Sequence, residues 1–199
     1  MLENLNQHLF LLLNAPAHPS ELMLAFAWVV AEYVVFIVPV YLMLGWLLNQ
    51  THDTKKRMLQ ALLSGLLALL MAQATGHLFP HPRPFMLELG TNFLPHVPDP
   101  SFPSDHVTLI LATAFSLMFL AATRIFGAAL IAIGLLVAWA RVYLGVHFPF
   151  DMVGACIIGL CSALLIELIP KTFVDSAYAV VASIYRKVFS AFIKRGWIT

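Results

Sequence analysis

Stretches of roughly twenty residues that are almost wholly apolar constrain this chain more than any other feature. They run from Glu21 to Leu48, Met58 to Phe79, Ser104 to Ala122, Ile125 to Leu144 and Phe148 to Ile169. A helix of that length crosses the hydrocarbon of a bilayer, where only helices and closed barrels satisfy their own backbone hydrogen bonds. Composition agrees, because 61% apolar residues, 11% charged residues and a mean hydropathy of +0.88 lie outside the range of soluble domains. The expectation is an all-α fold, a polytopic membrane helix bundle of about five transmembrane helices. It forms a single domain over residues 1–199.

The connections carry their own signals. Residues 1–20 hold a short, mildly amphipathic stretch, Met1 to Leu13, broken by Pro16 and Pro19, which predicts an interfacial segment. Pro39 is expected to kink the first span. NQTHDTKKR, residues 49–57, reads as a loop. Seven prolines between Pro80 and Pro103 exclude a regular helix there and predict an ordered or partly re-entrant loop. After Pro170, apolar residues at Val174, Tyr178, Val181, Tyr185, Val188 and Phe192 alternate with Arg186, Lys187, Lys194 and Arg195. That pattern predicts an amphipathic tail over residues 171–199 lying on the surface; its insertion would give a sixth span instead.

With five spans, nine of the eleven Lys and Arg residues fall on one side, which the positive-inside rule assigns to the cytoplasm. Arg83 and Arg141 alone fall on the other. No lysine or arginine precedes Lys55, so a cleaved secretory signal is not expected. Cys156 and Cys161 share one apolar segment and make neither a disulfide framework nor a zinc site. A net charge of +1 predicts no nucleic-acid partner.

Three stretches converge on the face that holds the two exceptional arginines: HPRPF at 81–85, FPSDH at 102–106 and ARVYLGVHFPFD at 140–151. Ionisable groups at such a depth are costly and therefore point to a site. Pro149 suits the first turn of a helix, which puts Asp151 about at the third helical position, within reach of His147. A carboxylate on one imidazole nitrogen leaves the other with an outward lone pair, as a nucleophile or general base requires. Taken alone, the stretch also fits a histidine capping a helix beside an ordinary first-turn acid. Arginine forks, however, match phosphate oxygens two at a time, and the helix beginning near Ser104 offers free N–H groups to an anion.

The order R-P, then P-S-x-H, then R-x5-H-x3-D resembles the type-2 phosphatidic acid phosphatase superfamily. The motifs cover about residues 76 to 151. The variants HPRPF and SFPSDH are most similar to those of bacterial undecaprenyl-pyrophosphate phosphatases associated with bacitracin resistance. The resemblance implies that His147 attacks phosphorus, Asp151 orients it, and His106 protonates the leaving group and then activates water. It implies that Arg83, Arg141 and Ser104 hold the phosphate, with no metal and no cofactor. It further implies a multi-pass protein of the bacterial cytoplasmic (inner) membrane, its site facing the periplasm or cell exterior. The partners implied are a polyprenyl or other lipid phosphate and the membrane lipids.

Three positions depart from the family pattern. Gly76 stands where a lysine is usual, with His77 as a candidate substitute; Asp105 replaces a glycine; Ala140 replaces a serine. Asp105 beside a phosphate is repulsive unless paired, so it is expected to orient another group. Glu32 could face the site, but the interface is the simpler expectation. His81 and His96 are expected in solvent, and Glu167 is expected to snorkel to the surface. The same chemistry on another lipid phosphate, such as phosphatidylglycerophosphate or lipid A, remains open, as does phosphotransfer. A histidine-containing transporter or haem protein is the alternative of another class, and it leaves the arginines without a role.

Overall fold

The structure, a computed structural model, describes residues 1–49 and 51–198. Regular structure among the described residues is entirely helical: α1 (Leu2–Leu13), α2 (Glu21–Tyr33), α3 (Ile37–Leu48), α4 (His52–Leu78), α5 (Asp105–Met118), α6 (Arg124–Tyr143), α7 (Pro149–Glu167), α8 (Lys171–Val188) and α9 (Ser190–Lys194). Among the described residues, four helical stretches are long and apolar enough to cross a membrane: Glu21–Leu48, His52–Leu78, Ala121–Tyr143 and Pro149–Glu167.

The fifth expected span is the shortest and most central. α5 has 14 residues and packs against α4, α6 and α7, which surround it. At about 1.5 Å per residue it reaches roughly 21 Å, short of the roughly 30 Å of hydrocarbon. Enclosed by protein, it need not meet lipid at its ends. Thr123, just before α6, ties the turn back to the end of α5, its Oγ1 donating to the Leu117 carbonyl at 2.7 Å and lying 3.2 Å from that of Leu120. Close packing around α5 uses small residues; a Cβ on Gly127 of α6 would lie 2.8 Å from the Ala114 carbonyl oxygen.

Pro39 disturbs the first crossing as expected, and one expectation about a helix boundary needs correction. The break in the first crossing is the 3₁₀ turn Val34–Phe36, and Pro39 sits in the first turn of α3 just beyond it. A proline ring clashes with the carbonyl four residues earlier, so the disruption falls upstream of the proline itself. The expected loop at 49–57 is largely helix, because α4 begins at His52 and carries Lys55, Lys56 and Arg57 in its first turns. Gln50 lies outside the described residues. Arg57 is buried and donates to Glu167 at 2.6 Å, so Glu167 does not snorkel; it neutralises an arginine. Lys56 likewise pairs with Asp175 of α8 at 2.6 Å. α8 thus lies across the ends of α3 and α4, with Trp46 against Tyr178 and Tyr185.

At the opposite end, α1 closes the bundle. Its Phe10 meets Phe148 edge to face at 5.3 Å, and Asn6 Oδ1 accepts from the Phe150 N–H at 3.0 Å. Asn14 ties the long loop to α6, accepting from Thr91 N–H at 2.7 Å and donating to the carbonyls of Thr91 and Tyr143. Between α6 and α7, Gly145 has φ +86°, a conformation open to glycine. A Cβ there would lie 2.3 Å from the Thr91 carbonyl oxygen.

Gly145→Ala is expected to cost about 1–2 kcal/mol from backbone alone, with the Thr91 clash added. Thermal unfolding in detergent should show a midpoint lower by about 2–8 °C; an unchanged midpoint would mean the turn relaxes freely.

Candidate active site

The ends of α4, α5 and α6, the turn between α6 and α7 and the loop before α5 line a cavity of about 200 Å³. His77, Arg83, Asp105, His106, Arg141 and His147 all line it. The three sequence motifs therefore meet, and His106 and His147 face one space from two different helices' ends.

His147 is buried in the turn before α7, and both of its ring nitrogens are committed. Nε2 lies 3.1 Å from Arg83 Nη1. A guanidinium can only donate, so Nε2 presents its lone pair and the proton of the neutral ring sits on Nδ1. Nδ1 in turn donates to Asp151 Oδ2 at 3.1 Å. Asp151 lies at the third position of α7 and also accepts from the Phe148 N–H at 2.8 Å, which anchors it across the helix start. The tautomer is thus fixed from both sides. Burial, the largest influence, pushes His147 down to about 4, reinforced by the charges of Arg141 and Arg83 and opposed by Asp151. The ring is neutral at physiological pH.

Arg83 is the hub of the loop. It donates through Nε to Asp99 at 2.8 Å and through Nη1 to the Val146 carbonyl at 2.9 Å; its Nη2 lies 3.4 Å from the Pro100 carbonyl. Burial works against the Asp99 carboxylate, but the Arg83 hydrogen bond and charge outweigh it and hold Asp99 below its ordinary range. Arg141, 1% exposed, donates through Nη1 to Glu32 at 3.1 Å and to the Ala31 carbonyl at 3.2 Å. Its Nε has no partner among the described residues. Glu32 therefore steadies a cavity-lining arginine, a role the interfacial expectation did not include, without lining the cavity itself. The reason is that a buried guanidinium needs a counter-charge, and α2 packs directly on α6.

The remaining positions sort as follows. Ser104 is the N-cap of α5, wholly buried, and its hydroxyl has no partner among the described residues. Its neighbours Pro103 and Asp105 line the cavity, while Ser104 does not. Asp105 accepts from Gln73 at 2.8 Å, so its partner is a neutral amide on α4. At Gly76 an added Cβ would touch the Phe102 carbonyl oxygen at 3.4 Å and Pro100 Cβ at 3.6 Å. The loop thus lies over the place of the usual lysine. His77, one residue on, is exposed and lines the cavity. His96 also lines it, and His81 pairs with Glu3 of α1 at 3.2 Å, so neither histidine is simply solvated. The proline-dense loop is ordered, as its sequence predicts, by hydrogen bonds with Arg83 and with the His81 carbonyl. Asp99, Ser101 and Glu32 were missed by motif reading; only the rarity of acids inside apolar segments pointed to Glu32. No group of three or more His, Cys, Asp or Glu suited to a metal ion occurs among the described residues.

Charging the buried His147 opposes folding. Its folded pKa is depressed, so its contribution to stability is full above the unfolded value of 6.5 and is lost as pH falls toward about 4. The unfolding midpoint in detergent is expected to fall across that window, and His147→Asn is expected to flatten the fall. An unchanged slope in the variant would contradict the buried, neutral ring.

Known proteins resemble this chain in sequence and in fold. Residues 57–175, which contain all three motifs, match the PAP2 superfamily. Over its full length the chain is 37% identical to the putative undecaprenyl-diphosphatase YbjG of Escherichia coli and covers 99% of that protein. It is 27% identical to undecaprenyl-diphosphatase BcrC of Bacillus subtilis, over 92% of this chain and 95% of the other. The crystal structure of Aquifex aeolicus LpxE superposes with a TM-score of 0.65 at 25% identity, over 82% of this chain and 94% of that one. By motif, by alignment and by fold, the chain belongs to the PAP2 superfamily.

Proposed function

We propose that the protein hydrolyses undecaprenyl diphosphate to undecaprenyl phosphate and inorganic phosphate, through a phosphohistidine on His147, at the extracytoplasmic face of a bacterial inner membrane. One observation carries this reading. Two buried arginines line the same cavity as an imidazole whose second nitrogen is already given to a buried carboxylate. Arginines alone would bind an anion; the oriented imidazole adds a nucleophile. The lipid is drawn from the relatives, both of which are undecaprenyl-diphosphatases by name. The orientation rests on the basic residues, since Lys55, Lys56, Arg57, Arg124 and Lys171 lie at the helix ends opposite the cavity.

The cavity suits a head group. At about 200 Å³ it falls below the roughly 300 Å³ that begins to hold a drug-sized ligand, so a phosphate fits and a long tail stays outside among the helices. Arg83 and Arg141 would take phosphate oxygens, with the α5 N-terminus adding its N–H groups. A phosphate oxygen would draw Arg83 Nη1 from His147 Nε2 and free the lone pair. Nε2 then attacks the terminal phosphorus, a P–N bond forms and the bridging P–O bond breaks. The electron pair leaves with the lipid phosphate, which takes a proton from His106, whose imidazolium form the anionic diphosphate favours once it offsets the charge of the arginines. Neutral His106 next accepts a proton from water, whose oxygen attacks the same phosphorus. The P–N bond breaks, inorganic phosphate departs, and His147 returns to its neutral form. Asp151 stays ionised throughout and stabilises the charge that develops on the ring.

Phosphate release from undecaprenyl diphosphate in detergent tests the reading. His147→Ala is expected to lower kcat by roughly 1,000-fold or more while the thermal midpoint shows a folded protein. Chelator is expected to leave the wild-type rate unchanged. Full activity in the variant would remove the mechanism, and faster release from phosphatidylglycerophosphate or a lipid A phosphate would move the substrate to that class.

A further inference from the structure

One short segment of the proline-rich loop touches both halves of the site. Asp99 and the Pro100 carbonyl engage Arg83, and the next residue turns the other way. Ser101 is wholly buried, with its backbone N–H held by the His81 carbonyl at 2.8 Å. Its hydroxyl donates to Asp151 Oδ2. A hydroxyl has one proton, so once that is given its lone pairs can only accept. They lie 3.4 Å from His147 Nδ1, giving the ring proton a second, longer acceptor beside the carboxylate.

Asp151 Oδ2 therefore gathers three donors: Ser101 Oγ, His147 Nδ1 and the Phe148 N–H. The Phe148 and His147 donors both belong to the turn that carries the dyad. Among the described residues, Ser101 is the donor that reaches Asp151 from a different part of the chain. Behind Asp151 lies a second cavity of about 250 Å³, bordered by Glu3, Asn6 and His81. A carboxylate without the Ser101 restraint has space into which it can turn, and the imidazole that depends on it would turn too.

We infer that Ser101 is a positioning residue, which locks the Asp151 carboxylate and so keeps His147 Nε2 directed at the phosphate cavity. This rests on the reading of His147 as nucleophile. The hydroxyl never meets substrate, so its loss should slow the chemical step and leave binding alone.

Three substitutions separate positioning from mere packing. Ser101→Ala removes the hydroxyl, Ser101→Cys keeps the volume with a weak donor, and Ser101→Thr keeps the hydroxyl. Per folded enzyme, the Ala and Cys variants are expected to lose about 10- to 100-fold in kcat, the usual cost of removing a residue that orients a reacting group. KM should stay within about twofold, and Thr should stay within about threefold of wild type. If the Ala variant does not fold, the Cys variant decides. Wild-type kcat in the Cys variant, a loss confined to KM, or a Thr variant as slow as Cys would overturn the proposal. His147→Ala in the same assay separates the two readings. Activity there sinks the nucleophile and Ser101 together, whereas an inactive His147→Ala beside a fast Ser101→Cys sinks Ser101 alone.

Discussion

Charges buried in a membrane bundle survive only with partners, and the architecture at the site end follows from that need. Arg83, with 5% of its side chain exposed, is held by Asp99; Arg141, almost wholly enclosed, is held by Glu32. His147 is neutral and held by Asp151. Each partner comes from a separate segment: the long loop, the first crossing and the start of α7. An unpaired guanidinium at such depth would cost several kcal/mol, so these segments are fixed relative to one another by electrostatics as much as by packing. The arrangement leaves donors directed at one cavity before any phosphate arrives, and a site organised in advance spends little on reorganisation.

The same logic shapes the opposite end with a different result. Arg57 is bound to Glu167 and the Ser116 carbonyl, and Lys56 to Asp175, so these cations join α4 to α5, α7 and α8. They are committed to structure. At the site end, by contrast, the paired arginines Arg83 and Arg141 share their cavity with two imidazoles, His106 and His147. Between the two ends, α5 is short because protein surrounds it, and its N-terminus opens into the cavity rather than into lipid.

Much of this was legible in the sequence. Apolar block length gave the crossings, since lipid leaves the backbone few options, and the three motifs gave both arginines, both histidines and Asp151. The misreadings share a cause. Glu32, Glu167 and His81 sit in segments whose local character says interface or solvent, and only tertiary pairing with Arg141, Arg57 and Glu3 changes their role. Residues 52–57 read as loop because a run of polar residues has no apolar period, yet α4 extends through them with Lys56 and Arg57 paired. Ser101 and Asp99 were invisible for another reason. In a proline-rich loop no periodicity tells which side chains turn inward, and their importance lies wholly in what they touch.

The central claim is that His147 becomes covalently bonded to phosphorus. Brief mixing of the protein with undecaprenyl diphosphate labelled on its terminal phosphate, followed by quenching in alkali, measures it directly. A phosphohistidine survives alkali and is lost in acid, so the account expects base-stable, acid-labile label on a peptide containing His147, and none on the His147→Ala protein. Rapid turnover by the wild type with no label at any quench time would contradict it, as would label that persists in the variant.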